Sequence, residues 1–269
     1  MTKKCAPVLF IPHGGGPLPL LNDPNHEGLS RFLKKLGSSF DMPKAILMIS
    51  AHWEEDIATI SGAEAPDMIF DYYGFPEESY QFSYPAPGSV SLANKVLELL
   101  KNNKINAQID PQRGFDHGTF VPLMLMYPKA NVPIVQLSLV KNLDPETQIN
   151  LGQAIGELSR QQVMIIGSGF SFHNLKVLMG NDTATYNKSV EFDDWLNNIV
   201  INDALSNHQK QIALTQWIRA PHARFVHPRE EHLLPLHVCF GVAESNGLNA
   251  RNIFNKNLLG VKTSAFLWQ

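Results

Sequence analysis

Two cysteines among 269 residues, Cys5 and Cys239, stand alone without CxxC spacing, which excludes both a disulfide framework and a thiolate zinc centre. Both read as reduced thiols, Cys239 as a small core residue. An excess of one charge is missing too. The 22 basic and 25 acidic side chains leave a formal charge of −3, so no basic field is available to grip nucleic acid or an anionic membrane. No apolar run approaches the roughly 20 residues that span a bilayer, and the apolar stretch of MTKKCAPVLFIPHGG is too short for a secretory signal. The expectation is a cytoplasmic protein with no nucleic-acid or membrane partner. Repeats, low-complexity tracts and Gly-, Pro- or Ser-rich linkers are lacking as well, leaving a single domain over residues 1–269. The chain is long enough to bury a large core, and 44% of it is hydrophobic. What stands out is histidine, with ten residues.

Four short runs are almost continuously apolar: PVLFI (7–11), KAILMIS (44–50), VPIVQLSL (132–139) and QVMIIGSG (162–169). Strands buried on both faces of a sheet read this way. Between them, GSVSLANKVLELLKNN (88–103) carries Leu92, Val96, Leu99 and Leu100 at helical spacing behind a serine cap. A second helix is expected over 144–161, opened by Asp144-Pro145, and a third over 186–205. Alternating strands and helices define an α/β fold with a mostly parallel central sheet flanked by helices.

A lone histidine after a strand is ordinarily a hydrogen-bonded residue at a strand end. Here three expected strands run into histidine-bearing loops: the first into His13, the second into His52, and the last through GSGFSFH into His173. In an open α/β sheet ligands bind beyond the carboxyl ends of the strands, so three histidines on that edge point to one site. The glycines of HGGGP and GSG suit a sharp turn or a close approach to a ligand, and neither run continues into a nucleotide-binding pattern. Asp116, next to His117, is a candidate to orient that ring. Of His232 and His237, five residues apart and so not stacked on one helix face, His232 is favoured as a ligand and His237 as a core residue or a support behind the ligands. His26, His208 and His222 lie in polar stretches and are expected to face solvent.

Five motifs, SAHW (50–53), YPAPG (84–88), DHG (116–118), HNL (173–175) and EHLLPLH (231–237), occur in this order along essentially the whole chain. Together they resemble the class III extradiol ring-cleavage dioxygenases, the 4,5-DOPA dioxygenase branch. The resemblance implies a metal-dependent enzyme that opens a catechol with O₂, with the metal at the carboxyl ends of the strands. It makes His13, His52 and His232 the metal ligands, His173 an acid/base residue or fourth ligand, and His117 a catalytic neighbour. More distant class III members place a carboxylate at the third ligand position. Here that position is His232, and an all-imidazole set suits one divalent ion per chain as Fe(II) for activity or Zn(II) as bound. In this chemistry His173 takes the second catechol proton and His117 supplies a proton to the departing oxygen. The aromatic residues of DYYGFPEESYQFSYPAPG, namely Tyr72, Tyr73, Phe75 and Tyr80, are candidates for a substrate wall. The alternatives are a zinc hydrolase with Glu230 or Glu231 as base, and a non-catalytic ligand-binding protein.

Overall fold

The structure, a computed structural model, describes residues 5–180 and 182–269. Its strands are β1 (Val8–Pro12), β2 (Ala45–Ser50), β3 (Glu54–Glu55), β4 (Ala58–Ser61), β5 (Ala107–Asp110), β6 (Ile134–Gln136), β7 (Leu139–Val140), β8 (Val163–Gly169), β9 (Ala250–Leu258) and β10 (Val261–Trp268). The helices are α1 (Glu27–Gly37), α2 (Val90–Asn102), α3 (His117–Met126), α4 (Pro145–Ile155), α5 (Glu157–Arg160), α6 (Thr183–Ile201), α7 (Asn207–Thr215), α8 (Ala223–Val226) and α9 (Leu234–Asn246). No helix among the described residues is long and apolar enough to cross a membrane.

The central sheet runs β6-β2-β8-β1-β10-β9. Its first four strands are parallel, and the C-terminal hairpin adds two antiparallel strands beside β1. Every residue of β1, β2 and β8 is buried, as expected of strands covered on both faces. Register then decides what meets at the edge. Pro12 pairs with Gly169 and Ser50 with Ser168, so β1, β2 and β8 end level and their following loops open onto one crevice.

The helices begin where short polar side chains can accept orphan backbone amides. Ser89, Asp116, Asp144 and Asp182 cap α2, α3, α4 and α6 in this way. Two of the expected elements are divided. The run at 132–139 splits because Leu139 leaves the central sheet to pair with Glu54, while Ser138 Oγ accepts the Thr59 amide. The helix at 144–161 breaks at Gly156, where a Cβ would lie 2.0 Å from Ser245 Oγ.

Glycines also set how α9 lies on the sheet. A Cβ on Gly152 of α4 would fall 2.0 Å from the Val238 carbonyl oxygen, and one on Gly241 of α9 would fall 2.1 Å from that of Ile149. The two helices therefore touch backbone to backbone, across a seam with room for no side chain. On β8 the Gly169 position would place a Cβ 2.2 Å from the His232 carbonyl oxygen, which accepts the Phe170 amide at 2.9 Å. The glycine of GSG is thus required by packing, and it fixes His232 directly to the end of β8.

The C-terminal hairpin is tied to α6 by a buried polar cluster. One oxygen of Asp193 accepts from Ser264 Oγ at 2.9 Å, Asn197 Nδ2 at 2.9 Å and Asn255 Nδ2 at 3.1 Å, while the other has no partner. Burial is the largest influence on this carboxyl and pushes its pKa from 3.8 up to about 6. A folded-state pKa above the unfolded value adds stability at low pH that is lost as pH rises through about 6. Asp193→Asn is expected to remove that decline. Urea denaturation at pH 4 and pH 7.5 should show the variant gaining on the wild type by about 2–3 kcal/mol between the two.

Candidate active site

His13 follows β1, His52 follows β2 by one residue, His173 lies beyond β8, His117 is the first residue of α3, and His232 precedes α9. The five rings form one cluster. Ring centroids of His52 and His117 are 3.9 Å apart, those of His13 and His52 4.9 Å, and those of His52 and His232 4.9 Å. His173 and His232 stack at 3.3 Å with an interplanar angle of 13°. His13, His52 and His232 each offer a ligand nitrogen within 4.8 Å of the other two.

Hydrogen bonds behind the rings fix the tautomers of His13, His117 and His232. Ser168 gives its only hydroxyl proton to the Gly118 carbonyl, so its oxygen accepts from His13 Nδ1 at 3.0 Å. Asp71 Oδ1 accepts from His117 Nδ1 at 2.8 Å and from the His117 amide at 2.9 Å, while its Oδ2 lies 3.6 Å from His52 Nδ1. Glu231 Oε1 serves His232 Nδ1 at 3.0 Å and His173 Nδ1 at 3.2 Å. Each carboxylate thus lies beside two rings. With Nδ1 protonated, Nε2 keeps its lone pair, and the Nε2 atoms of His13 and His52 face each other at 3.0 Å. Two lone pairs pointed together repel unless a cation lies between them, and this separation suits two ligands of one ion at about 2.1 Å each. The residues therefore fit a divalent metal, and the acceptors behind them are the usual orienting partners of metal-bound imidazole.

Electrostatics favour the neutral rings that such binding needs. Burial, then repulsion from neighbouring rings, holds the pKa values of His13 and His52 well below the ordinary value. For His232, burial and the His173 ring bring it to about 3 against the pull of Glu231. Burial works against charge on Glu231, but the hydrogen bonds from His173 and His232 outweigh it and keep the carboxyl below its usual range. Glu231 also meets the Arg229 guanidinium at 3.4 Å, and Arg229 is paired with Glu54.

Several expectations need correction. Asp116 does not orient the His117 ring. It caps α3, accepts from Ser50 Oγ at 2.7 Å and pairs with Arg113 at 2.8 Å, and Asp71 takes the orienting position instead. His26 does not face solvent: it is fully buried, whereas His208 and His222 are exposed. His237, by contrast, has the expected core role: it is buried, bonded to the Leu214 carbonyl and apart from the cluster. Asp71 and Ser168 carry no sequence signal of their own, because their ring partners lie 46 and 155 residues away.

The aromatic segment divides. The Tyr72 ring lies 5.8 Å from His117, its hydroxyl donates to the Ser79 carbonyl at 2.6 Å, and Phe75 and Tyr80 pack on it at 5.5 and 5.3 Å. Tyr73 is 92% exposed.

Histidines gathered at the carboxyl edge of a parallel sheet, with carboxylates behind them, define a metal-dependent enzyme of the α/β class. Over residues 7–266 the chain matches, and belongs to, the family described as the catalytic LigB subunit of aromatic ring-opening dioxygenase. It is 37% identical over 281 residues to the dioxygenase tasH of Hapsidospora irregularis, covering 98% of this chain and 85% of that one. It is 39% identical over 242 residues to a 4,5-DOPA dioxygenase extradiol of Beta vulgaris, covering 89% and 87%. A crystal structure of an uncharacterized protein from Escherichia coli K12 superposes with a TM-score of 0.80 at 26% identity, covering 97% and 99% of the two chains. The protein is an aromatic ring-opening dioxygenase, acting on a small aromatic molecule and O₂ with a catalytic metal. The hydrolase and binding-protein alternatives give way to this reading.

Proposed function

We propose that the chain is an extradiol dioxygenase for a catechol of the DOPA type, working as one catalytic domain over 1–269 in a cytoplasmic setting, with Fe(II) as the active metal. The observation that carries the site assignment is the set of five clustered rings, of which His13, His117 and His232 have Nδ1 hydrogen-bonded to acceptors behind them while carboxylates lie beside Nδ1 of His52 and His173. His13, His52 and His232 hold the ion. When bound, the metal supplies a Lewis acid for both catechol oxygens and, as iron, electron exchange with O₂.

The remaining steps belong to side chains. His173, stacked on His232, takes the second catechol proton at Nε2, while Glu231 holds its Nδ1–H and stabilises the imidazolium that forms. His117, its Nδ1 held by Asp71 and its ring beside His52, takes the first catechol proton at Nε2 as substrate binds and returns it to the departing oxygen. Tyr72 and Phe75 provide apolar ring faces for the substrate, and Tyr80 supports them from behind. Two unpaired cysteines suit a reducing compartment.

Anaerobic reconstitution with Fe²⁺ followed by addition of air is the test. With a panel of catechols, O₂ uptake should accompany the appearance of a yellow ring-opened product. Zn²⁺-loaded protein should bind the same catechols without turnover, because zinc has no accessible redox change. Equal turnover by both forms would overturn the proposal.

A further inference from the structure

His26 takes no part in the proton or metal chemistry above, yet it is fully buried and bonded at both ring nitrogens. It closes the 3₁₀ turn Pro24–His26 just before α1. Its Nε2 lies 3.0 Å from the Gly15 amide nitrogen and its Nδ1 2.8 Å from Asp23 Oδ1. The amide can only donate, so Nε2 must carry the lone pair, and the proton resides on Nδ1, directed at the carboxylate. Burial lowers the pKa of the ring from its ordinary value against the pull of Asp23, which keeps this neutral form at neutral pH.

The glycine loop after His13 passes between two rings. On one side is His26, whose Cδ2 would lie 2.9 Å from a Cβ on Gly14. On the other is Phe75, whose ring would lie 3.0 Å from a Cβ on Gly16. Both glycines have positive φ, +86° and +55°, a backbone that L side chains rarely adopt. Phe75 in turn meets Tyr72 at 5.5 Å, and Tyr72 lies 5.8 Å from His117. His13 is anchored separately, by Ser168 and by the pairing of Pro12 with Gly169.

We infer that His26 is a positioning residue for the substrate cleft: by accepting the Gly15 amide it holds the glycine loop against Phe75 and so sets how closely a catechol is gripped. The inference rests on the reading of Tyr72 and Phe75 as substrate wall. It separates substrate affinity from metal retention, since His13 keeps its own anchors in Ser168 and the Pro12–Gly169 pairing when His26 changes.

His26→Phe keeps a ring in the buried space and removes the acceptor. His26→Gln returns an oxygen at about the reach of Nε2. In His26→Phe the Gly15 amide should exchange its hydrogen at least tenfold faster, and metal content should stay at the wild-type level. Zn²⁺-loaded protein should bind 4-methylcatechol roughly tenfold more weakly, in the range of one lost buried hydrogen bond. KM in the Fe²⁺ form should rise by a similar factor with kcat within about threefold, and His26→Gln should restore most of both effects. Unchanged Gly15 exchange, unchanged 4-methylcatechol affinity or loss of metal in His26→Phe would overturn the role of His26. Failure of the wild-type Zn²⁺ form to bind 4-methylcatechol would instead overturn the functional reading, and Gly15 exchange would still report on the contact.

Discussion

His232→Ala is expected to leave a folded protein that retains almost no divalent metal after dialysis and shows no measurable ring opening. Even a residue standing behind a metal ligand is worth roughly 10–100-fold in metal affinity, and removing a ligand itself exceeds that. The fold should survive, because the contact that hangs this segment on β8 is made by the His232 carbonyl oxygen to the Phe170 amide, which alanine keeps. Metal analysis beside circular dichroism checks both halves. Wild-type metal content in a folded His232→Ala protein would remove His232 from the ligand set.

His173→Ala should behave differently. A residue that moves protons contributes about 10²–10⁴-fold to the rate, so turnover should fall by that factor while metal and catechol binding remain near wild type. Because the His173 ring stacks on His232 at 3.3 Å, deleting it also leaves His232 less supported. His173→Phe preserves the stacked ring and removes only the nitrogens. Single-turnover kinetics should show the same slow reaction in both variants. If both lose metal as completely as His232→Ala, His173 is a fourth ligand and the base must be sought at His117.

The parts of this protein that could be read from residues alone are those whose physics is local. β1, β2 and β8 are buried on both faces, and nothing but continuous apolar runs satisfies that position. His13, His52 and His173 are legible because each lies in the loop that follows such a run. The hairpin of β9 and β10 escaped notice for the opposite reason. β9 is a half-buried edge strand with three asparagines, its residues alternating irregularly between core and solvent, and its pairing with β10 slips at Ala265/Phe266. The partners behind the rings were equally hidden. Asp116 adjoins His117 in the chain, but an N-cap side chain turns back toward the amides of its own helix, which leaves the ring to Asp71 from a distant loop. His26 lies in the polar stretch NDPNHEG, and only the folding of the glycine loop over it explains its burial.

The seam between α4 and α9 bears on how such an enzyme can be diversified. With Gly152 and Gly241 each pressed against the opposite backbone, the helix behind His232 cannot absorb even a methyl group without sliding, and any slide is transmitted to the ring cluster. The stretch from Tyr72 to Phe75 has no such seam: a Cβ on Gly74 would meet nothing within 4 Å, and Tyr73 is almost wholly in solvent. Mutant libraries seeking activity on unfamiliar catechols therefore belong at Tyr72, Tyr73 and Phe75, with Asp71, Gly74, Gly88, Gly152, Gly169 and Gly241 held constant. Specificity can then drift while the machinery beneath it stays in place.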